Sequence, residues 1–220
     1  MDKWTKEYFI KYKDLLNHQP PKLDEFYNHI KEHFGESDYD IFTSNATQYL
    51  YNNYSSKGDS LLNHLTHIPE FYMKNDPVKI YSEVIPENIK SMGMGCYIAC
   101  SHLEHVVFNK ALTIISDGAF MECNSLDDII IPSNIKVISK GAFEDCYSLT
   151  SIKFNEGLES IDNYAFDGCK HLTEFTLPKS IIYFGYKALP SGPRIMASVY
   201  HSTEGEKWAI DNNCKINYLD

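Results

Sequence analysis

Four cysteines at a fixed spacing are the first residues in this sequence that could do chemistry. Cys100, Cys123, Cys146 and Cys169 lie 23 residues apart. Stacked on adjacent repeats, such residues would come within disulfide distance of one another. A ladder points all its sulfurs the same way, however, and cannot form the tetrahedral thiolate shell of a zinc site. We therefore predict that these cysteines are buried structural thiols.

Two histidine pairs are the other candidates for metal chemistry. His29 and His33 are four residues apart, the spacing that places two ligands on one face of a helix, and His64 and His67 form a second pair. The glutamate of an HExxH site does not follow His29, because residues 30–32 read Ile-Lys-Glu. We predict no metal, no cofactor and no enzymatic activity. A metal-dependent enzyme in the N-terminal region, with the remaining chain as its targeting scaffold, is the alternative.

The cysteines belong to a repeat that recurs at many positions. Five units of 23 residues follow one another, at 85–107, 108–130, 131–153, 154–176 and 177–199. The same residue type recurs at equivalent positions of successive units. Three such sets are Leu103, Leu126, Leu149 and Leu172; Ala119, Ala142, Ala165 and Ala188; and Phe120, Phe143 and Phe166. A fixed period of this length is the signature of a solenoid, in which each unit buries its apolar surface against its neighbours.

Each unit contains one segment that predicts a short strand. From Leu149 to Phe154 apolar and polar residues alternate, which points Leu149, Ile152 and Phe154 inward. Stacked units then place these strands about 4.8 Å apart in one parallel sheet. The Ala-Phe pair and the cysteine would form a compact turn on the opposite side of the core.

The pattern resembles the BspA-like (Treponema-type) leucine-rich-repeat family. The matching residues in one unit are Ile131-Pro132, Ile135, Ile138, Ala142-Phe143, Cys146, Leu149 and Ile152. The resemblance implies a leucine-rich-repeat solenoid over residues 81–220. It also implies that residues 200–220 form a C-terminal cap, with a short helix around Glu204–Asn212 and a closing strand.

Residues 1–80 lack the repeat and predict a small helical domain. Apolar residues recur at helical spacing from Trp4 to Leu16, and Pro20-Pro21 ends that segment. Further segments of this kind follow, the last one at Leu61, Leu62 and Leu65. The expected fold class is therefore α+β: a helical N-terminal domain, then a solenoid with a short-stranded parallel sheet.

The net charge and the first residues of the sequence limit the kinds of function that this protein could have. The formal net charge is −10, which argues against binding to a phosphate backbone and against nucleic acid as a partner. No segment predicts a membrane span. The first residues lack the basic start and apolar core of a secretory signal, so we expect a cytoplasmic protein.

Outward positions on the predicted strands form rows that could contact a partner. An acidic edge lies beside apolar residues, a combination that suits a protein partner with a basic patch. The candidate protein-binding residues are Glu104, His105, Val107, Asp127, Asp128, Ile130, Ser151, Lys153, Glu174 and Thr176.

The preferred hypothesis is a cytoplasmic protein–protein interaction module. One version is an inhibitor or regulator of a host protein, encoded by a phage or mobile element, and a homo-oligomer could form through the helical domain. Besides the metal-dependent enzyme, an acidic mimic of DNA is a further alternative, because the negative charge could occupy a nucleic-acid groove.

Overall fold

Short strands and turns of successive units stack directly on one another, so each apolar residue packs against its own counterpart. The structure, a computed structural model, describes residues 61–75 and 79–219. This part of the chain contains thirteen strands, one 3-10 helix at Leu61–His64 and one α-helix, α1, at Glu204–Asp211. Buried side chains from all the stacked units form a single continuous core.

Seven strands form the first sheet along one side of the stack. They are β2 (Ser82–Val84), β4 (His105–Val107), β6 (Asp128–Ile131), β8 (Ser151–Phe154), β10 (Glu174–Thr176), β12 (Met196–Tyr200) and β13 (Lys215–Leu219). Parallel backbone ladders pair β2 with β4, β6 with β8, and β10 with β12 and β13. Strands β4 and β6, like β8 and β10, are neighbours for which the described residues show no such ladder. We call the outward side of this sheet the strand face.

Six strands of two residues each form the second side. They are β1 (His67–Ile68), β3 (Ser91–Met92), β5 (Ile114–Ile115), β7 (Val137–Ile138), β9 (Ser160–Ile161) and β11 (Tyr183–Phe184). Strand β1 pairs with β3, and β5, β7, β9 and β11 pair in that order, all parallel. The second residue of each strand from β1 to β9 is buried, and it crosses the core towards the first sheet.

Turns form the third side of the stack, and hydrogen bonds between units fix them. The N–H group of Phe120 donates to the carbonyl of Ala142, and that of Phe143 donates to the carbonyl of Ala165, each at 2.8 Å. Seven non-glycine residues on this side adopt left-handed backbone angles, with φ from 52° to 61°. They are Phe71, Asn75, Ala99, Glu122, Asp145, Tyr164 and Lys187. Left-handed angles are costly for residues with a side chain, so the stack imposes this turn geometry on them.

A column of aromatic rings runs through the middle of the core. Tyr97 stacks on Phe120 at 5.3 Å between ring centroids, Phe120 on Phe143 at 5.4 Å, and Phe143 on Phe166 at 5.0 Å. The rings are within 9° of parallel, and the whole column is fully buried. The repeated Phe of the sequence is therefore the element that sets unit upon unit.

The repeated cysteines form a second column through the core, and none of them is in a disulfide bond. Each buried Sγ atom donates to a main-chain carbonyl of the preceding unit, at 3.1–3.2 Å; the pairs are Cys100 with Met73, Cys123 with Tyr97, Cys146 with Phe120, and Cys169 with Phe143. Burial raises the pKa of Cys146 well above its usual value and that of Cys169 to about 12. The prediction of buried structural thiols holds for the whole column.

The stack begins earlier than the repeat columns in the sequence. Strand β1 pairs with β3 at an offset of 24 residues, since Ile68 lies opposite Met92. In the same unit Glu83 lies opposite Val106, at an offset of 23. This unit has one extra residue, so its side chains do not fall at the 23-residue spacing of the later units. The repeat is therefore recognised in the sequence only from residue 85 onwards.

The expected α+β fold class is wrong, because the described chain is a parallel β-solenoid whose only α-helix is α1, near the C-terminus. Leu61, Leu62 and Leu65, expected in a helix of the N-terminal domain, lie in a 3-10 helix and the turn that leads into β1. Leu62 and Leu65 are buried in the stack, and their spacing is the same as that of apolar residues on one face of a helix. The other predicted helices and their oligomer contact fall on residues 1–60, outside the described residues.

The last residues close the stack as the sequence implied. Thr203 caps α1, and its hydroxyl accepts the N–H of Glu206 at 3.2 Å. Trp208 packs from α1 onto Phe184, with 5.3 Å between ring centroids. Strand β13 then extends the first sheet by pairing with β12.

Replacing Phe143 by alanine should destabilise the protein by about 3–5 kcal/mol, because it opens a cavity in the middle of the aromatic column. Urea unfolding followed by circular dichroism would measure the change. Tyr147→Ala, at an exposed position four residues away, should change stability by about 0.5 kcal/mol or less. Equal effects of the two substitutions would contradict the role given to the column.

The folded protein should react with a thiol reagent at one position only. Cys214 is partly exposed, whereas the other five cysteines are buried. Titration with an aromatic disulfide reagent should therefore count one thiol in the native protein and six after unfolding. Cys214→Ser should remove the native signal, and rapid reaction of a second thiol would show that the cysteine column is open to solvent.

Candidate protein-binding surface

The strand face brings the predicted binding residues together on one exposed surface. All ten are exposed, from Glu104, directly before β4, to Thr176 at the end of β10. Register places Asp128 opposite Ser151 and Ile130 opposite Lys153. Residues that lie 23 positions apart in the sequence therefore lie opposite one another on these neighbouring strands.

An apolar row runs along the N-terminal part of the strand face. Val84, Val107 and Ile130 are 62 %, 53 % and 54 % exposed, respectively. Val84 lies opposite Val107 in the β2–β4 ladder, and β6 with Ile130 is the next strand. Val84 was absent from the predicted set because it lies before the first recognised unit. Three adjacent branched side chains left in water are a feature of interaction sites.

Charged groups border this apolar row. The Nδ1 atom of His105 lies 3.0 Å from Oδ1 of Asp128 and 3.5 Å from Oδ1 of Asp127. Lys153 is the single lysine among the outward residues of β4, β6, β8 and β10. The border is therefore mainly negative and faces the same direction as the apolar side chains.

The same three residues could hold a metal ion. In the described part of the chain, His105, Asp127 and Asp128 are the one group of this type, with ligand atoms within 4.8 Å of one another. All three are exposed and already contact each other. Exposed carboxylates of this kind commonly serve as surface charge, and that is how we interpret them.

The histidine pairs singled out in the sequence do not form a described site. His67 lies in β1, where its Nδ1 atom is 2.8 Å from Oγ of Ser91. His64 ends the 3-10 helix, so the two residues do not share one helical face. His29 and His33, and with them the alternative of a metal-dependent enzyme, lie outside the described residues.

A second acidic group, missed in the sequence, lies on the turn side. It comprises Glu122, Glu144, Asp145 and Asp167, and Lys187 contacts Asp167 at 3.2 Å. Partial burial, then Asp145 and Asp167, raise the pKa of Glu144. Negative charge is thus spread over two sides of the solenoid, but the apolar row borders only the charge on the strand face.

Glu83 is a functional candidate that sequence reasoning also missed. It occupies the inward position of β2, where later units have Val106, Ile129 and Ile152. The residue as a whole is partly exposed, but its carboxyl group is surrounded by protein, and this burial raises its pKa to about 7. The hydroxyl of Tyr97 donates to the carboxylate at 3.4 Å and opposes that shift. The signal in the sequence is Tyr97, which replaces the repeated phenylalanine and whose hydroxyl group can pair with a carboxylate such as that of Glu83.

Comparison with protein families gives one match. A family model described as a BspA-type leucine-rich-repeat region, with six copies, matches residues 66–192. This range includes the early unit that begins before residue 85. A search of curated proteins finds no match.

Three solved structures are similar to this chain, and the chain spans about a third of the length of each. A leucine-rich-repeat protein from Bacteroides ovatus is 19 % identical over 70 % of this chain and 37 % of its own, with a TM-score of 0.51. A leucine-rich cell surface protein from Faecalibacterium prausnitzii is 24 % identical over 57 % and 30 %, with a TM-score of 0.47. A leucine-rich-repeat protein from Eubacterium ventriosum is 26 % identical over 52 % and 32 %, with a TM-score of 0.48.

These findings correct the expected cytoplasmic location. That expectation rested on the first residues of the chain, whereas the family match points away from the cytoplasm, because proteins with this type of repeat are typically surface proteins. In the described residues, no helix has the length and apolar character needed to cross a membrane.

Glu83 should make the stability of the protein depend on pH. The folded state raises the pKa of this carboxyl from 4.5 to about 7, so its contribution is fully present below about pH 4.5 and is lost as the pH rises to about 7. Glu83→Gln should therefore be more stable than the wild type at pH 8, by about 2 kcal/mol after allowance for partial exposure. The two proteins should converge near pH 4.

Chemical unfolding at a series of pH values would measure this difference. Glu104→Gln, at an exposed site on the same surface, is the matched control and should follow the wild type throughout. A constant difference between wild type and Glu83→Gln from pH 4 to pH 8 would show that this carboxyl does not titrate in the folded protein.

Proposed function

Because this chain belongs to the BspA-type leucine-rich-repeat family, we propose that it is a protein-interaction module whose strand face binds a protein partner with a basic patch. Repeat solenoids of this kind typically act as binding scaffolds rather than as enzymes, since their stacked units present extended surfaces. The observation that carries the proposal is the exposed apolar row of Val84, Val107 and Ile130 beside the carboxylates of Asp127 and Asp128.

The two kinds of group have separate roles in this proposal. Removal of the apolar row from water supplies affinity, in the way that buried hot-spot residues dominate other interfaces. The negative border selects a partner with lysine or arginine near its contact and speeds the encounter. The acidic group on the turn side has charge without an adjacent apolar row, so the strand face is the better candidate.

A more specific form of the proposal is that the protein inhibits or regulates a host protein. An inhibitor or regulator, encoded by a phage or mobile element, would cover a functional surface of a host protein. Such a role requires that the module and the natural ligand of the host protein compete for one surface. A competition assay with an identified partner would test it, and simultaneous binding of both would count against it.

Substitutions on the strand face should abolish partner capture without unfolding the protein. We expect Val107→Ser with Ile130→Ser to reduce recovery of the partner at least about tenfold, because the apolar contact is lost. Asp127→Asn with Asp128→Asn should weaken binding and make it less sensitive to salt. Immobilised protein, quantitative mass spectrometry of captured proteins and a salt series provide these measurements.

The matched control is Ile182→Ser with Tyr183→Ser on the second sheet. These side chains are 71 % and 50 % exposed, so the control removes a similar apolar area from a different side. Capture should be unchanged in this variant. If the two double variants capture the same proteins in the same amounts, the strand face is not the binding surface.

A further inference from the structure

Strand β13 is the last strand of the first sheet, and only one of its edges has a partner strand within residues 61–75 and 79–219. The N–H group of Lys215 donates to the carbonyl of Ile195 at 2.8 Å, so the main-chain groups of Lys215 point towards β12. Successive residues of a strand direct these groups to opposite edges. The N–H and C=O groups of Ile216 and Tyr218 therefore point away from β12, towards the open edge.

This edge lacks the features that usually prevent an edge strand from pairing with another chain. Protected edges are short, or contain proline, bulges or inward-pointing charges. Strand β13 has five residues, contains no proline, and has its one charged residue, Lys215, at its first position. At the other end of the sheet, β2 has three residues, and Glu83 occupies its inward position. The open edge of β13 is therefore the better template for a further strand.

A second copy of β13 fits this open edge in one antiparallel register. Residues that lie opposite one another in an antiparallel pair exchange two hydrogen bonds at every second position. With a two-fold axis between the two copies of Asn217, Ile216 of each copy lies opposite Tyr218 of the other. Every outward N–H group of both strands then donates to an outward carbonyl of the other copy. Shifted registers pair only one of these two residues within β13.

The side chains on the inward side of β13 suit this register. Ile216 lies opposite Ala197, which is buried, so Ile216 and Tyr218 share the inward side of the sheet. Tyr218 is 46 % exposed, and its ring stacks on His201 with 4.1 Å between ring centroids. Its hydroxyl also donates to the carboxylate of Glu206. The ring is thus already held in place to cover Ile216 of a second copy, and such aromatic and branched pairs stabilise neighbouring strands.

The side chains on the strand-face side are compatible with the same two-fold axis. Asn217 is exposed, and its amide group donates to Oγ of Ser198 at 3.1 Å. At the axis the two Asn217 residues form a pair with Cα atoms about 4.5 Å apart. The second N–H of each amide can then donate to the carbonyl oxygen of the other. The two copies of Lys215 lie about 14 Å apart along the strands, so no like charges meet.

We propose that two copies of this chain form a dimer by antiparallel pairing of β13, with the two-fold axis at Asn217. This inference goes beyond the proposed function and does not depend on it. The two-fold axis of an antiparallel strand pair is perpendicular to the sheet, and the contact is isologous. Both strand faces therefore point to the same side of the dimer.

Sedimentation velocity of the full chain over a wide concentration range would test for the dimer. We expect a monomer at low concentration and a species of twice its mass at high concentration. Amide hydrogen exchange followed by NMR would locate the contact. The N–H groups of Ile216 and Tyr218 should exchange rapidly in the monomer and slowly in the dimer, whereas that of Asn217, which points to β12, should be protected in both.

A charge exchange at Asn217 tests the register without a change to the core. Asn217→Asp and Asn217→Lys each place like charges opposite one another at the axis, so each should weaken the dimer at least about tenfold. An equal mixture of the two variants should form a dimer again, with one copy of each. Thr113→Asp and Thr113→Lys, at an exposed position directly before β5, are the matched controls and should dimerise like the wild type.

Three results would overturn the inference. The first is a wild-type protein that stays monomeric at all concentrations; slow exchange at Ile216 and Tyr218 in that monomer would show that another part of the chain covers the edge. The second is a dimer that neither Asn217 variant weakens, because its contact would lie elsewhere. The third is failure of the mixed variants to dimerise, which would exclude an axis at Asn217.

Discussion

The structure depends on one constraint: every unit must place its side chains directly over their counterparts in the unit before. The aromatic column meets this constraint with parallel rings at 5.0–5.4 Å, and the cysteine column meets it with thiol-to-carbonyl hydrogen bonds at 3.1–3.2 Å. Because both columns have the same rise, the strands and turns between them come into register as well. The exposed surface inherits this register, which is why unrelated side chains such as Val107 and Ile130 form one row.

The sequence predicted the stacked part well because its period is a direct record of contacts. The strands β6 and β8, the inward alternation and the capping helix all follow from columns or from the family pattern that they resemble. The first unit was predicted to be helical because its buried residues Leu62 and Leu65 have a spacing shared by helices and by a 3-10 turn that leads into a strand. Its 24-residue offset also removed it from the columns that would have corrected the error.

The residues of the candidate site could be predicted from the sequence, but the shape of the surface that they form could not. The period alone places His105, Asp128, Ser151 and Glu174 in one row. The form of the surface also depends on where the backbone ladders are interrupted, between β4 and β6 and between β8 and β10, and the residue columns do not mark these places. Glu83 was missed for a related reason, since a charged residue in a strand looks like a surface residue until its register with Val106 is known.

The left-handed turn residues have a consequence for how such a chain can change over evolutionary time. Ala99, Glu122, Asp145 and Tyr164 share a φ angle that usually requires glycine, and at each of them the backbone N–H donates to a carbonyl of the following unit. Selection for glycine at these positions is therefore relaxed, and the turn side can drift in sequence while its backbone stays the same. At Ala99, where a glycine would remove only a methyl group, the substitution would relieve about 1 kcal/mol of this strain without changing the strand face.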